Sequence, residues 1–213
     1  MVQVFFDNIR SYDDLGLFLS KVSISAPESK RSKVSVPGRD GSLDMSYALS
    51  SDMKFENREL SIEFVMKDYG KDWVTDFSEI YNRIHGKRFR IVIGNDPEYY
   101  WEGFCEIDKA EDSVNKGTLK VICDVYPYKH RDMLIEVTST SSGVSAYCPC
   151  GRETVCPVVT TSGNITITPA GGSAVHFDAG TRQSRDLLLR EGVNILTITG
   201  NANVTLKYVE GVL

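Results

Sequence analysis

The side chains best placed for chemistry are three carboxylates, Glu102, Glu106 and Asp108, close together in one apolar-polar segment. If that segment is a strand with alternating side chains, all three share one face. Glu106 and Asp108 then stand roughly 7 Å apart, within the range of an inverting glycosidase pair. The same pattern describes a solvated sheet face. With no pocket and no perturbed titration legible in a sequence, the solvated face is the favoured reading.

A second cluster, Cys148-Pro149-Cys150 with Cys156, offers thiols to a metal. Structural zinc sites space their cysteines by two to four residues and need a fourth ligand, which only a distant group such as His176 could supply. A small buried or loop thiol cluster fits these residues better. The histidines His85, His130 and His176 are scattered and read as structural. His85 is expected beside a helix C-terminus, where partial positive charge meets the dipole favourably. The sequence contains no dinucleotide fingerprint, phosphate loop, nucleophile elbow or zinc-protease helix motif. Neither catalysis, nor a metal, nor a cofactor is therefore expected.

The elements that carry these groups fall into two stretches of different character. Of the 213 residues, 1–130 hold 18 Lys and Arg and 22 Asp and Glu, whereas 131–213 hold 6 and 7. The aromatics divide likewise, with only Tyr147, Phe177 and Tyr208 in the second stretch. Two domains, 1–130 and 131–213, are the simplest account, with Ser139-Thr140-Ser141-Ser142-Gly143 nearby as polar connecting chain.

In the first stretch Leu60, Ile62, Phe64 and Met66 alternate with Glu59, Ser61, Glu63 and Val65, the period of a half-buried strand. Similar alternation recurs at Phe89/Ile91/Ile93, Tyr99/Trp101/Cys105/Ile107 and Leu119/Val121/Cys123/Val125. The turn clusters Gly94-Asn95-Asp96-Pro97 and Asn115-Lys116-Gly117 make these runs antiparallel strands. One helix interrupts them, capped by Asp72, with Trp73, Phe77, Ile80 and Ile84 along one stripe and Gly86 at its end. The second stretch is expected to be all strand, near 154–160, 163–169, 173–179, 185–190, 194–200 and 203–209, at the spacing of a small sandwich or barrel.

A net charge of −5 leaves no basic footprint for gripping nucleic acid. No apolar run is long enough for a membrane helix, and Met1-Val2-Gln3-Val4-Phe5-Phe6-Asp7 lacks a secretory pattern, so synthesis in a cytoplasm without membrane insertion is expected. Five cysteines without an export signal argue for reduced thiols. By the same reasoning the sequons at Asn164 and Asn203 are chance matches.

The most informative stretch is 26–44. Val36-Pro37-Gly38-Arg39-Asp40-Gly41 packs two turns together: Pro-Gly suits the centre of a type II turn, and Asp-Gly suits a hairpin turn. Upstream Lys30, Arg31 and Lys33 are solvated. A plain surface loop would account for this, but some fifteen residues without regular structure in a compact domain point to an interacting segment.

Together, VPGRDGSLD at 36–44, NRELSIEF at 57–64, RIHGK at 83–87 and EYYWEGF at 98–104 resemble the siphovirus distal tail protein family of phages and prophages of Gram-positive bacteria. The likeness extends to Tyr126-Pro127-Tyr128-Lys129, which closes the N-terminal domain. CPVVTTSGNITIT at 156–168 and EGVNILTITGNANVTLKY at 191–208 are similar to the galectin-like sandwich that follows in many members.

The resemblance implies a mainly β protein: an N-terminal antiparallel β-sandwich with one helix and an extended arm, then a C-terminal galectin-like sandwich. It implies a homohexameric ring at the virion tail tip, assembled in the host cytoplasm, with the C-terminal sandwiches projecting outward and DNA passing through unbound. Its partners would be the tail tube protein, the tape measure protein and the tail-associated lysin or receptor-binding baseplate proteins. Carried onto this chain, the arm interface comprises Lys33, Val36, Pro37, Gly38, Arg39, Asp40 and Gly41, and the domain junction comprises Tyr126, Pro127 and Tyr128. A carbohydrate-binding accessory protein acting through the second sandwich is the alternative, although three aromatics supply a sugar platform poorly.

Overall fold

A computed structural model describes residues 2–48, 52–66, 73–113 and 116–213, with only the backbone at 73, 74, 112, 113 and 116. The fold is mainly β, with several antiparallel sheets and one helix among the described residues, the class expected from sequence. The chain separates into two compact units, Met1–Pro127 and Tyr128–Leu213, each with its own buried core.

The first unit runs β1 (Val4–Phe6), β2 (Ile9–Arg10), β3 (Leu17–Ile24), β4 (Lys33–Ser35), β5 (Ser42–Asp44), β6 (Arg58–Met66), α1 (Trp73–Ile84), β7 (Lys87–Ile93), β8 (Trp101–Ser113) and β9 (Lys116–Val125). Seven strands form one antiparallel sheet in the order β2-β1-β7-β8-β9-β6-β3, while β4 and β5 pair only with each other. The alternation read from sequence is what builds the core. Leu60, Ile62 and Phe64 of β6, Phe89 and Ile91 of β7, and Leu119, Val121, Cys123 and Val125 of β9 are all buried in a single cluster.

Ile80 and Ile84 of α1 join that cluster, with Phe77 and Tyr81 half-buried beside it. Residues four apart stack on one helix face. Burying two such side chains contributes about 3–6 kcal/mol, enough to hold a 12-residue helix that would be marginal in water. Gly86, at φ +71°, takes the left-handed conformation that ends the helix as expected. Asp72 lies outside the described residues, as does the side chain of Trp73.

His85 follows α1 directly, as expected, and its contacts are structural. Its Nδ1 accepts a hydrogen bond from the Ile107 N–H at 3.1 Å, and its ring packs on Tyr81 at 4.7 Å. The ring thereby ties the end of α1 to β8.

The second unit comprises β10 (Lys129–Ser139), β11 (Val144–Cys150), β12 (Val158–Thr161), β13 (Ile165–Pro169), β14 (Val175–Phe177), β15 (Gly180–Gln183), β16 (Gly192–Thr199) and β17 (Ala202–Val212). Two four-stranded antiparallel sheets, β10-β17-β12-β15 and β11-β16-β13-β14, contribute inward side chains to one core, as in a sandwich.

The expected strands omit β10, β11 and β15, and two further expectations fail in this unit. Residues 185–190 form no strand: Leu187 and Leu189 plug the core from irregular backbone, joined to β12's approach by a single bridge, Val155↔Leu189. The strand that does form nearby, β15, has the sequence GTRQ and is exposed throughout. With no apolar residue, it carries no pattern to read. The serine stretch at 139–143 is the β10–β11 turn within the second unit, where the Ser139 hydroxyl donates toward the carbonyls of Gly200 and Ala202 at 2.6 and 3.1 Å, so it is not connecting chain.

Candidate functional site

Between β3 and β6 the chain leaves the sheet as a two-stranded ribbon. The pairing of Ile24 with Leu60 continues without a slip: Ser25 N–H donates to Glu59 O, Glu56 N–H to Glu28 O, and Lys30 N–H to Lys54 O, with a bridge at Ser29↔Phe55. Beyond it β4 and β5 pair Lys33 with Asp44, Val34 with Leu43 and Ser35 with Ser42. The segment expected to lack regular structure is thus an arm that extends the β3–β6 hairpin.

Residues 36–41 connect β4 to β5. The Arg39 N–H donates to Val36 O at 3.2 Å, and Gly38 between them has φ +80°, which is the type II turn expected of Pro37-Gly38. Asp40-Gly41 does not make a two-residue hairpin turn. Gly41 has φ +74°, but Asp40 is not in the positive-φ region that such a turn requires, and strand pairing begins only at Ser35↔Ser42.

Every residue from 30 to 45 is exposed. Alternation and register together sort these side chains by face. Val34 lies directly opposite Leu43, and Met45 and Val36 continue the same face, whereas Lys33 and Asp44 occupy the other. Val34, Val36, Leu43 and Met45 are 38–48% exposed, a row of apolar side chains that the described residues leave open to solvent. Among the described residues Arg39 forms no ion pair. Sequence reading centred the arm on its turn residues and missed Val34, Leu43 and Met45. The i, i+2 spacing of Val34/Val36 and of Leu43/Met45 was the available signal.

At the root of the arm Arg58 is buried, with no carboxylate partner among the described residues. Its guanidinium donates to Ser25 O at 2.8 Å and to Pro127 O at 3.4 Å, and lies 5.2 Å from the Trp101 ring centroid. Burial pulls its pKa downward, because the charged form loses hydration. The two carbonyls and the ring face offset that loss. One side chain thereby ties the arm's root to the last residue of the first unit. Of the other junction residues, the Tyr126 N–H extends the β8–β9 ladder to Glu102 O at 2.8 Å, and Tyr128 is buried.

Asp44 accepts hydrogen bonds from Ser46, backbone N–H included at 2.9 Å, and these hold its carboxyl below the usual carboxylate range.

The groups first considered for chemistry sit elsewhere. Glu102 lies between Arg88 and Arg90 at 3.2 and 3.0 Å, and Asp108 accepts from Lys120 at 3.0 Å. A register shift between Ile107 and Lys109 places Asp108 in a bulge. Glu102 and Asp108 are engaged in ion pairs and Glu106 is exposed, the arrangement of a solvated sheet face. Cys148 and Cys150 are buried in the sandwich core, where desolvation raises both thiols to about 11. The Cys156 thiol donates to Ser184 O, and His176 Nδ1 pairs with the Thr166 hydroxyl at 2.8 Å. Among the described residues no three His, Cys, Asp or Glu side chains converge as a metal-holding group. No described helix is long and apolar enough to cross a membrane.

No protein-family model matches the chain, and no curated protein matches it. Among solved structures, the crystal structure of the SPP1 Dit (gp 19.1) protein, described as a paradigm of the hub adsorption apparatus in phages infecting Gram-positive bacteria, is similar with a TM-score of 0.65. The match covers 98% of this chain and 99% of that one at 16% sequence identity. The likeness is one of fold, and it spans both units and the arm.

Proposed function

We propose that this chain is a structural component of a long non-contractile phage tail, a homohexameric ring at the tail tip that joins the tail tube to the baseplate or tail fibre. The observation that carries this reading is the whole-length likeness of fold to a phage hub protein. The arm supports it independently. A soluble monomer rarely leaves a continuous apolar row on an extended ribbon, whereas an arm seated on a neighbouring subunit buries it.

In this reading the first unit forms the ring, and the arm residues Lys33, Val36, Pro37, Gly38, Arg39, Asp40 and Gly41, with Val34, Leu43 and Met45, meet the next subunit. Arg39 reaches a carboxylate there. The second unit is a galectin-like accessory sandwich, and Tyr126, Pro127 and Tyr128 form the junction. The partners are the tail tube, tape measure, and lysin or receptor-binding baseplate proteins. The protein resides in the virion after assembly in the host cytoplasm and performs no catalysis.

Native mass measurement with negative-stain imaging tests the ring: the expected particle has six times the 23.8 kDa chain mass and a central hole. A monomer at micromolar concentration overturns the proposal. Six chains of −5 carry about −30, so the ring repels duplex DNA and lets it slide; a salt-dependent micromolar gel shift contradicts a passive conduit.

The alternative, carbohydrate binding by the second unit, rests on Tyr147. It is 61% exposed opposite Ile195, while Phe177 and Tyr208 are buried. One aromatic is a meagre sugar platform, and a clear hit on a glycan array would promote this reading.

A further inference from the structure

Cys105 of β8 and Cys123 of β9 are direct register partners, and both side chains are fully buried beneath the central sheet of the first unit. Hydrogen bonding in an antiparallel ladder alternates from pair to pair. The Tyr126 N–H donates to Glu102 O, so the pair 102/126 is hydrogen-bonded. Counting inward, 103/125 is open, 104/124 bonded and 105/123 open. The other edge of β8 agrees, since the Cys105 carbonyl accepts from the Gly86 N–H, on the side of β7 and away from β9.

Open pairs bring Cα atoms to about 4.5 Å and their side chains together, within the roughly 4.4–6.8 Å that a disulfide spans. The strands are also drawn close here, because a Cβ added at Gly103 would collide with the Asp124 carbonyl. The neighbouring Cys105 thiol, together with burial, pushes Cys123 strongly upward. No other cysteine is opposed by a thiol: Cys148 faces Asn194, Cys150 faces Gly192, and Cys156 is bonded to a carbonyl.

We propose that Cys105 and Cys123 form a redox-modifiable pair, thiols in a reducing cytoplasm, that closes to a disulfide stapling β8 to β9 when the folded protein meets a small neutral oxidant of the hydroperoxide class. One thiol sulfur attacks a peroxide oxygen, the O–O bond breaks, and a sulfenic acid results together with one water from hydrogen peroxide or one alcohol from an organic hydroperoxide. The second thiol attacks that sulfur, the S–O bond breaks, the S–S bond forms and a water leaves with the remaining thiol hydrogen. Each sulfur loses one electron and the peroxide gains two. Full burial and the scarcity of thiolate make the step slow and exclude bulky disulfide reagents, so the selectivity is one of oxidant size. The inference rests on the sheet geometry alone and stands apart from the assembly reading.

The test treats the full-length native protein with hydrogen peroxide, then denatures it and blocks remaining thiols with iodoacetamide before intact-mass and peptide analysis. The expected product has lost two hydrogen atoms' mass per chain, alkylates at three cysteines instead of five, joins the peptides containing Cys105 and Cys123, and unfolds several degrees higher. A reductant reverses each change. The Cys105→Ser and Cys123→Ser variants abolish the product; should either misfold, Cys105→Ala and Cys123→Val serve instead, and the peptide map of the unaltered protein is decisive without them. Five alkylated cysteines after peroxide, a crosslink involving Cys148, Cys150 or Cys156, or irreversible over-oxidation at either site overturns the proposal.

Discussion

Two segments of this protein lack a place in a main sheet and yet carry closely spaced apolar residues: the arm at 30–45 and the irregular stretch at 185–190. In the second, Leu187 and Leu189 turn inward and are fully buried within their own unit. In the first, Val34, Val36, Leu43 and Met45 line one face of a ribbon and stay exposed. Both carry apolar side chains, and their disposition is opposite. A segment that buries its apolar residues at home stabilises its own unit, whereas one that leaves them in water requires a second surface, and on that difference an assembly element is told from a structural loop.

The sharpest way to break this comparison is to replace 28–42 by a short Gly-Ser linker. Loop closure over so few residues costs little. The expected result is a chain whose thermal unfolding is nearly unchanged and whose ring is lost, read by light scattering; an intact ring removes the arm from the assembly argument. The counterpart is Leu189→Ala, expected to destabilise the second unit by about 2–5 kcal/mol through lost burial and a residual cavity. Denaturant unfolding checks it, and a change below about 1 kcal/mol would mean that the stretch is as dispensable to its unit as the arm is to its own.

A smaller effect belongs to Gly38→Ala. No atom lies within 4 Å of the added Cβ, so the cost is only that of holding φ +80° with a side chain, about 1–2 kcal/mol of local arm stability. Faster amide exchange at Val34 and Leu43 with unaltered global stability would show it.

The smallest effect is pH-dependent. Asp44 titrates below its ordinary value, so its hydrogen bonds with Ser46 contribute fully above the unfolded carboxylate pKa of about 3.9 and are lost as pH falls through the lower folded value. Exchange at Ser46 should accelerate across that acid window, beyond the intrinsic pH dependence of exchange, and Asp44→Asn should flatten the response.

In the first unit, legibility from sequence followed burial. Leu60/Ile62/Phe64 and Leu119/Val121/Cys123/Val125 were readable because half-buried strands must alternate, and Ile80 and Ile84 because a helix docks by one stripe. The exposed strand β15 left no trace, and Leu187 and Leu189 imitated a strand, since spacing by two also serves a loop that plugs a core.

Local chain chemistry determined the type II turn at Pro37-Gly38 and the helix end at Gly86, because restrictions on φ act within a few residues. Only the tertiary structure decided that Arg58 joins the arm's root to the first unit's end, that Cys105 meets Cys123 at an open pair, and that Glu102 and Asp108 of β8 are spent in ion pairs. These depend on register between segments up to 69 positions apart. Register is set by the summed packing of whole strands, which no short run of residues contains.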